Sequence, residues 1–240
     1  MSYREMPAPG ALRDLAECVW VNWVDQGPRR ARILPDGCMD LVEMNGAVLV
    51  AGPDSTAFVS HQKSEVATGI RFRPGALPRL LGIPANELCN ARVAVEDLHP
   101  ELRGKPLASV TDRLLGRDST RETAPWQLAQ LRHVTRRFAG GASVADVADE
   151  IGWSARNLQR QSAAVYGYGP ATLRRVLRFR RAVGLLRAGR SIADTAAIAG
   201  YADQSHLYRQ VRDLAGVAVA QLANGANRST DEPSGSTTVA

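Results

Sequence analysis

The sequence predicts an α+β protein of two domains: a β-rich N-terminal domain, then an all-α domain of two helix-turn-helix units joined by a bridging helix. Three observations carry this reading. The stretch Ala142–Gly216 is one unit written twice. Residues before about position 100 alternate short β-branched runs with turn signals. The excess positive charge lies on the repeat half alone.

The elements follow in order. Met1–Gly10 is Pro-rich and extended. Cys18–Val24 is aromatic and β-branched, a strand with Val19, Val21 and Trp23 on one face. Arg29–Leu34 alternates arginine with smaller or apolar residues and reads as a second strand, closed by the turn Pro35-Asp36-Gly37. Cys38–Met44 and Ala47–Ala51 flank Asn45-Gly46, a strong hairpin signal. Ala57–Ser60 and Val66–Phe72 continue the strands. Ala76–Leu81 starts a short helix, Pro84–Leu88 adds a helical turn and Ala91–Val95 is extended. Pro100–Arg117 reads as one helix or two, with Leu102, Leu107, Val110, Leu114 and Leu115 on its apolar side. This gives a regulatory domain over 1–116, a polar linker over 117–125 and a helical domain over 126–224 that opens with a helix, Trp126–Phe138. A Gly/Ser/Thr/Asn-rich tail over 225–240 is expected to be disordered.

The repeat is the most specific feature. Ser143–Trp153 matches Ser191–Tyr201 position by position at an offset of 48. After each turn the match resumes at 49, pairing Leu158 with Leu207, Arg160 with Arg209 and Gly167 with Gly216. The second copy therefore carries one extra residue just after its turn. Ser143 and Ser191 can cap helix N-termini, each with an Asp three residues on, Asp146 and Asp194. Val144, Val147 and Ala148 share one helix face, as do Ile192, Thr195 and Ala196. Gly152 and Gly200 suit a helix end that needs positive φ. Second helices follow at Ser154–Val165 and Asp203–Leu214. Short helix, glycine turn and second helix is the pattern that places the second helix in a DNA major groove. A stacked helical array needs three or more units to bury its core, and there are two here.

These residues carry a resemblance. A-D-E-I-G-W-S-A-R-N-L-Q-R (Ala148–Arg160), G-P-A-T-L-R-R-V-L-R-F-R-R-A (Gly169–Ala182), I-A-D-T-A-A-I-A-G-Y-A-D-Q-S-H-L-Y-R (Ile192–Arg209) and L-A-G-V (Leu214–Val217) resemble the AraC/XylS-type transcriptional regulators. The resemblance implies two DNA-reading units on one bridging helix, entering successive major grooves. Three positions depart from the family pattern: Ser162 and Val211 stand where it has Phe, and Val219 where it has Pro. Loss of two aromatic anchors predicts a domain weakened by a few kcal/mol. In the N-terminal half, V-W-V (Val19–Val21), R-I-L-P-D-G-C-M-D-L-V (Arg32–Val42), Gly52-Pro53, G-I-R-F-R-P-G (Gly69–Gly75), L-L-G-I-P-A-N-E-L (Leu80–Leu88) and V-E-D-L (Val95–Leu98) resemble the β-rich domain common in actinobacterial members of that family. That likeness implies a cupin-like half-barrel used as a regulatory module.

Charge agrees with the repeat reading. Residues 126–224 hold 14 Arg against 6 Asp and Glu, whereas residues 1–125 hold 15 basic and 16 acidic side chains. A phosphate-binding surface beside a neutral partner domain has this distribution. On the first recognition helix Leu158 is the buried pivot and Arg156, Gln159 and Arg160 project away from it. On the second, Leu207 is the pivot, with Gln204, Ser205, His206, Tyr208 and Arg209 beside it. Arginine suits guanine O6/N7 and glutamine suits adenine N6/N7. Along the bridging helix, Pro170–Arg187, the arginines 174, 175, 178, 180, 181 and 187 divide between phosphates and internal salt bridges, with Arg174 and Arg175 assigned to DNA.

Enzyme readings find little support. His61, His99, His133 and His206 are scattered, no nucleophile elbow, phosphate loop or dinucleotide fingerprint occurs, and the carboxylates Asp36, Asp40 and Glu43 read as solvent-facing or turn-stabilising. Three scattered cysteines, Cys18, Cys38 and Cys89, read as buried reduced thiols. They cannot build the four-cysteine zinc site of the alkylation-repair domains fused to some AraC-type domains. No catalytic residue, cofactor or metal site is therefore expected. With no signal peptide and no apolar run of membrane length, a cytoplasmic location is expected. The partners this implies are double-stranded DNA, RNA polymerase, a small-molecule effector and a second copy of the chain, with no membrane. Two roles stay open for the N-terminal domain. One is a sensor pocket lined by Trp20, Trp23, Arg71, Phe72 and Arg73. The other is a ligand-free dimerisation or protein-interaction module, with Arg71 and Arg73 sharing a face and pairing with Asp36 or Glu43.

Overall fold

The computed structural model describes residues 2–23, 29–62, 66–223 and 231–232. The strands are β1 (Ser2–Pro7), β2 (Ala16–Trp23), β3 (Arg29–Ile33), β4 (Met39–Met44), β5 (Ala47–Ala51), β6 (Phe58–Gln62), β7 (Val66–Phe72) and β8 (Arg92–Ala94). Six form an antiparallel sheet in the order β1-β2-β7-β4-β5-β8. The second sheet pairs β3 with β6 and adds a two-residue strand, β9 (Asp231–Glu232). The disordered tail expected over 225–240 falls outside the described residues apart from that strand. The hairpin forms at the expected place: Asn45 (φ 53°) and Gly46 (φ 73°) are both left-handed, as a two-residue primed turn requires.

Strand alternation gives the large sheet two different faces. Met39, Leu41, Val48, Val50, Ile70 and Phe72 meet the helices α1 (Leu77–Leu81), α2 (Val95–Leu98) and α3 (Leu107–Leu115) in the main core of this half. Their neighbours Asp40, Val42, Leu49, Ala51 and Arg71 face the small sheet instead. A register shift between Ala16 and Cys18 switches β2 from the helix face to the other, so Cys18 and Trp20 form a small cluster of their own with Ala67. Gly69, paired across from Trp20, lets the indole lie flat on its backbone: a Cβ there would fall 2.4 Å from the ring.

The helical half comprises α4 (Leu128–Ala139), α5 (Val144–Glu150), α6 (Ala155–Tyr166), α7 (Pro170–Arg187), α8 (Ile192–Ala199), α9 (Gln204–Ala215) and α10 (Val219–Ala223). The expected start of α4 at Trp126 shifts to Leu128. The Trp126 side chain is taken up instead by Trp153, 5.3 Å away between ring centroids, and by Tyr166 at 6.2 Å. The stretch expected as a polar linker is laid against the first unit, with Gln161 Nε2 donating to the Glu122 carbonyl and Thr123 buried. The thiols of Cys18, Cys38 and Cys89 are unbridged, two buried and Cys89 half-buried.

Candidate nucleic-acid interface

Each unit is set by its caps. Ser143 accepts from the Asp146 amide while Asp146 accepts from the Ser143 amide, a complete capping box. Ser191 accepts from the Asp194 amide at 3.0 Å. Gly152 (φ 69°) and Gly200 (φ 82°) make the turns. The second helices of the two units are then capped by Ser154 on α6 and Asp203 on α9, which lie 49 apart. The extra residue of the second copy is thus placed inside its turn.

The pivots Leu158 and Leu207 are fully buried, and each anchors its helix to its own core. Arg156, Gln159 and Arg160 are exposed on α6, and Gln204, Ser205, Tyr208 and Arg209 on α9. Arg160 is steadied by the Asn157 side chain at 3.0 Å. His206, which occupies the place equivalent to Asn157, behaves differently. Its ring sits edge-on to Tyr201 (5.1 Å), with Nδ1 3.4 Å from the Ala202 amide and Nε2 3.4 Å from Arg178. A neutral imidazole has one acceptor nitrogen, so only one of these approaches is a hydrogen bond. The ring is nonetheless held inside the second unit.

The bridging-helix arginines are mostly engaged within the protein. Arg174 donates to the Gly141 carbonyl at 2.7 Å, and Arg175 lies 3.9 Å from Asp213. Arg178 stacks over Tyr201 and donates to Gln210, and Arg180 pairs with Glu17 of the N-terminal half at 2.6 Å. Arg181 is exposed.

Comparison with known families agrees with this geometry. Residues 147–225 match a helix-turn-helix domain, and residues 4–94 match a domain of unknown function, DUF6597. The helical half thus carries an AraC-type helix-turn-helix domain, which indicates a DNA-binding transcription regulator. A search of curated proteins finds no match. Among solved structures the regulator is similar to ToxT from Vibrio cholerae O395, at 12% identity and TM-score 0.41, over 87% of this chain and 91% of that one. It is also similar to unsaturated fatty acid bound wild-type ToxT from Vibrio cholerae strain SCE256, at 10% identity and TM-score 0.45, over 89% and 93%.

The regulator's N-terminal half holds a cavity of about 310 Å³ between its two sheets. Trp20 and Arg71 line it as expected; Trp23, Phe72 and Arg73 do not. Strand alternation explains Trp23 and Phe72, which point away from the face that carries Trp20 and Arg71. Phe72 lies in the helix-side core. Arg73 lies past the end of β7 and lines a separate groove beside α4 and α7, so Arg71 and Arg73 share no face. Arg71 is shared among Glu5 (3.4 Å), Asp40 (3.5 Å) and Asp36 (3.7 Å), and Asp40 also accepts from the Trp20 indole at 2.9 Å. Asp36 accepts from the Cys38 amide as a turn-stabilising residue would, but it and Asp40 face this cavity rather than solvent. Glu43 leaves the group for the Leu107 amide. Burial pushes the Asp40 carboxyl up to about 6 against the pull of Arg71, with Asp36 adding to the rise.

Sequence reading did not single out Asp54, Arg92 and Phe58. Arg92 pairs with Asp54 at 2.6 Å and lies 4.2 Å over the Phe58 ring, on the same cavity. Phe58 and Arg92 come from strands of different sheets and Asp54 from the loop between β5 and β6, so their meeting leaves no local signature. Among the described residues, no helix is long and apolar enough to cross a membrane, and no group of three His, Cys, Asp or Glu is placed to hold a metal.

Proposed function

We propose that the regulator reads two successive major grooves on one face of a duplex, with α6 in one and α9 in the next. The observation that carries this is the equivalence of Arg160 and Arg209, exposed at matching places on two helices whose pivots and caps also match. Arg156, Gln159 and Arg160 then face one half-site, and Gln204, Ser205, Tyr208 and Arg209 the other. His206 orients the second turn instead of reading a base. Arg175, only weakly held by Asp213, and Arg174 lie on the bridge between them and meet phosphates. The half-sites lie about one helical turn, roughly 34 Å, apart.

Control by a small molecule is the second part of the proposal. Its support is the cavity of about 310 Å³, walled by Trp20, Arg71, Asp40, Asp54 and Arg92. Leu34 and Gly52 on its wall adjoin the segments that touch the recognition helices, so a molecule filling it would be felt at the DNA-reading half. RNA polymerase and a second copy of the chain remain the other partners proposed.

Fluorescence anisotropy tests the reading, using a duplex selected from a random library at two salt concentrations. Arg160→Ala and Arg209→Ala should each cost about 1–3 kcal/mol of binding. Weak binding that depends on salt alone and ignores both substitutions would rule it out.

A further inference from the structure

The two DNA-reading units have separate cores, which share no buried residue. The first packs on α7 through Leu173, Val176 and Leu177, and the second through Phe179, Ala182, Val183 and Leu186. Packing on the bridging helix alone would let each unit rock about that seam. The N-terminal domain supplies a second attachment to both. Among its contacts with them, one falls at an equivalent place in both, the C-terminal end of the second helix of each unit.

Gly167 (φ 85°) ends α6 and Gly216 (φ 68°) ends α9, at matching positions in the repeat. At Gly167 an added Cβ would fall 2.4 Å from Pro53 Cγ and 3.2 Å from the Ala85 carbonyl. At Gly216 it would fall 3.3 Å from Arg32 Nη1, and that guanidinium donates to the Ala215 carbonyl at 2.8 Å. The Ala57 amide donates to the Leu214 carbonyl at 2.6 Å, and Leu34, 1% exposed, is part of the second unit's core. A cation at a helix C-terminus meets both its unpaired carbonyls and its dipole, so the Arg32 contact holds direction as well as position.

We propose that Arg32 and Pro53 are positioning residues that fix the separation and tilt of the two recognition helices, and so determine the half-site spacing the regulator accepts. This rests on the two-groove reading above. A unit anchored at its seam alone can swing to follow a displaced half-site. A unit anchored at both ends cannot, and the mismatch lowers its affinity.

The test begins from the duplex that the wild-type chain selects most tightly, with one or two base pairs added or removed between its half-sites. The wild type should lose about tenfold or more in affinity on each altered duplex. The double variant Arg32→Gln, Pro53→Ala should lose about threefold or less, at wild-type affinity for a duplex carrying one half-site. A double variant that folds, by circular dichroism, and keeps the full spacing penalty overturns the inference. The single variants, each relaxing the penalty in part, decide the matter if the double variant does not fold. If the wild type shows no spacing penalty, the two-groove reading fails and takes the inference with it.

Discussion

The Arg32 guanidinium donates to the carbonyl of Ala215, 183 residues away, and so closes the last turn of α9 with a side chain from the other domain. The bond is charge-assisted and partly buried. Arg32→Ala should therefore destabilise the second unit by about 1–2 kcal/mol. Amide exchange should locate the loss in α9 and leave α6 unchanged. Equal loss of protection in both helices would contradict this account of the bond.

Ser162 is fully buried in α6, and its hydroxyl has no hydrogen-bond partner among the described residues. An unpaired buried hydroxyl costs about 1–3 kcal/mol. Ser162→Ala should accordingly raise stability by about 1 kcal/mol in urea unfolding, with the slope unchanged. Destabilisation by the same substitution would mean that the hydroxyl is satisfied in solution. Val211 and Val219, the other departures from the family pattern, are buried in the second unit's core beside Phe179 and Leu214.

Asp40 sets a pH dependence whose sign is opposite to that of an ordinary salt-bridged carboxylate. Its carboxyl titrates near 6 in the folded chain, against an ordinary value of 3.8. Between those values the folded state holds a proton that the unfolded state has lost, so stability falls as pH rises through that window. Asp40→Asn removes the titration. Its stability relative to wild type should rise from pH 4 to pH 7 by on the order of 2 kcal/mol, read from urea melts at both ends. A flat difference would show that Arg71 compensates Asp40 fully.

Tyr208 is 45% exposed on α9, at the place equivalent to Gln159 on α6. Tyr208→Ala should weaken specific DNA binding roughly tenfold, because one base step then goes unread, and leave the melting temperature unchanged. His206→Ala should behave in reverse, lowering thermal stability by removing the Tyr201 packing before it affects sequence preference. Matching melting and binding profiles for the two variants would remove the distinction.

The helical half was legible because its determinants are local. Ser143 with Asp146 and Ser191 with Asp194 lie within one turn, and the repeat aligns the pivots Leu158 and Leu207 without reference to anything distant. The N-terminal strands were legible for the same reason, through Asn45-Gly46 and the β-branched runs. The cavity was not. Trp20 and Trp23 stand three apart, and Arg71 and Phe72 are adjacent, so in a strand neither pair can share a wall. The residues that complete the wall, Asp54, Phe58 and Arg92, arrive from a loop and from strands of two different sheets. The approaches of Arg32, Pro53 and Ala57 to the recognition helices are likewise tertiary, and no period in the sequence marks them.

Hydroxyl-radical footprinting of the regulator on its selected duplex tests the central claim most directly. Two protected stretches about 10 base pairs apart on one face are predicted, with Arg160→Ala weakening protection of one stretch and Arg209→Ala the other. A single protected stretch, or two that both respond to the same substitution, would contradict a protein that reads DNA with two equivalent helices.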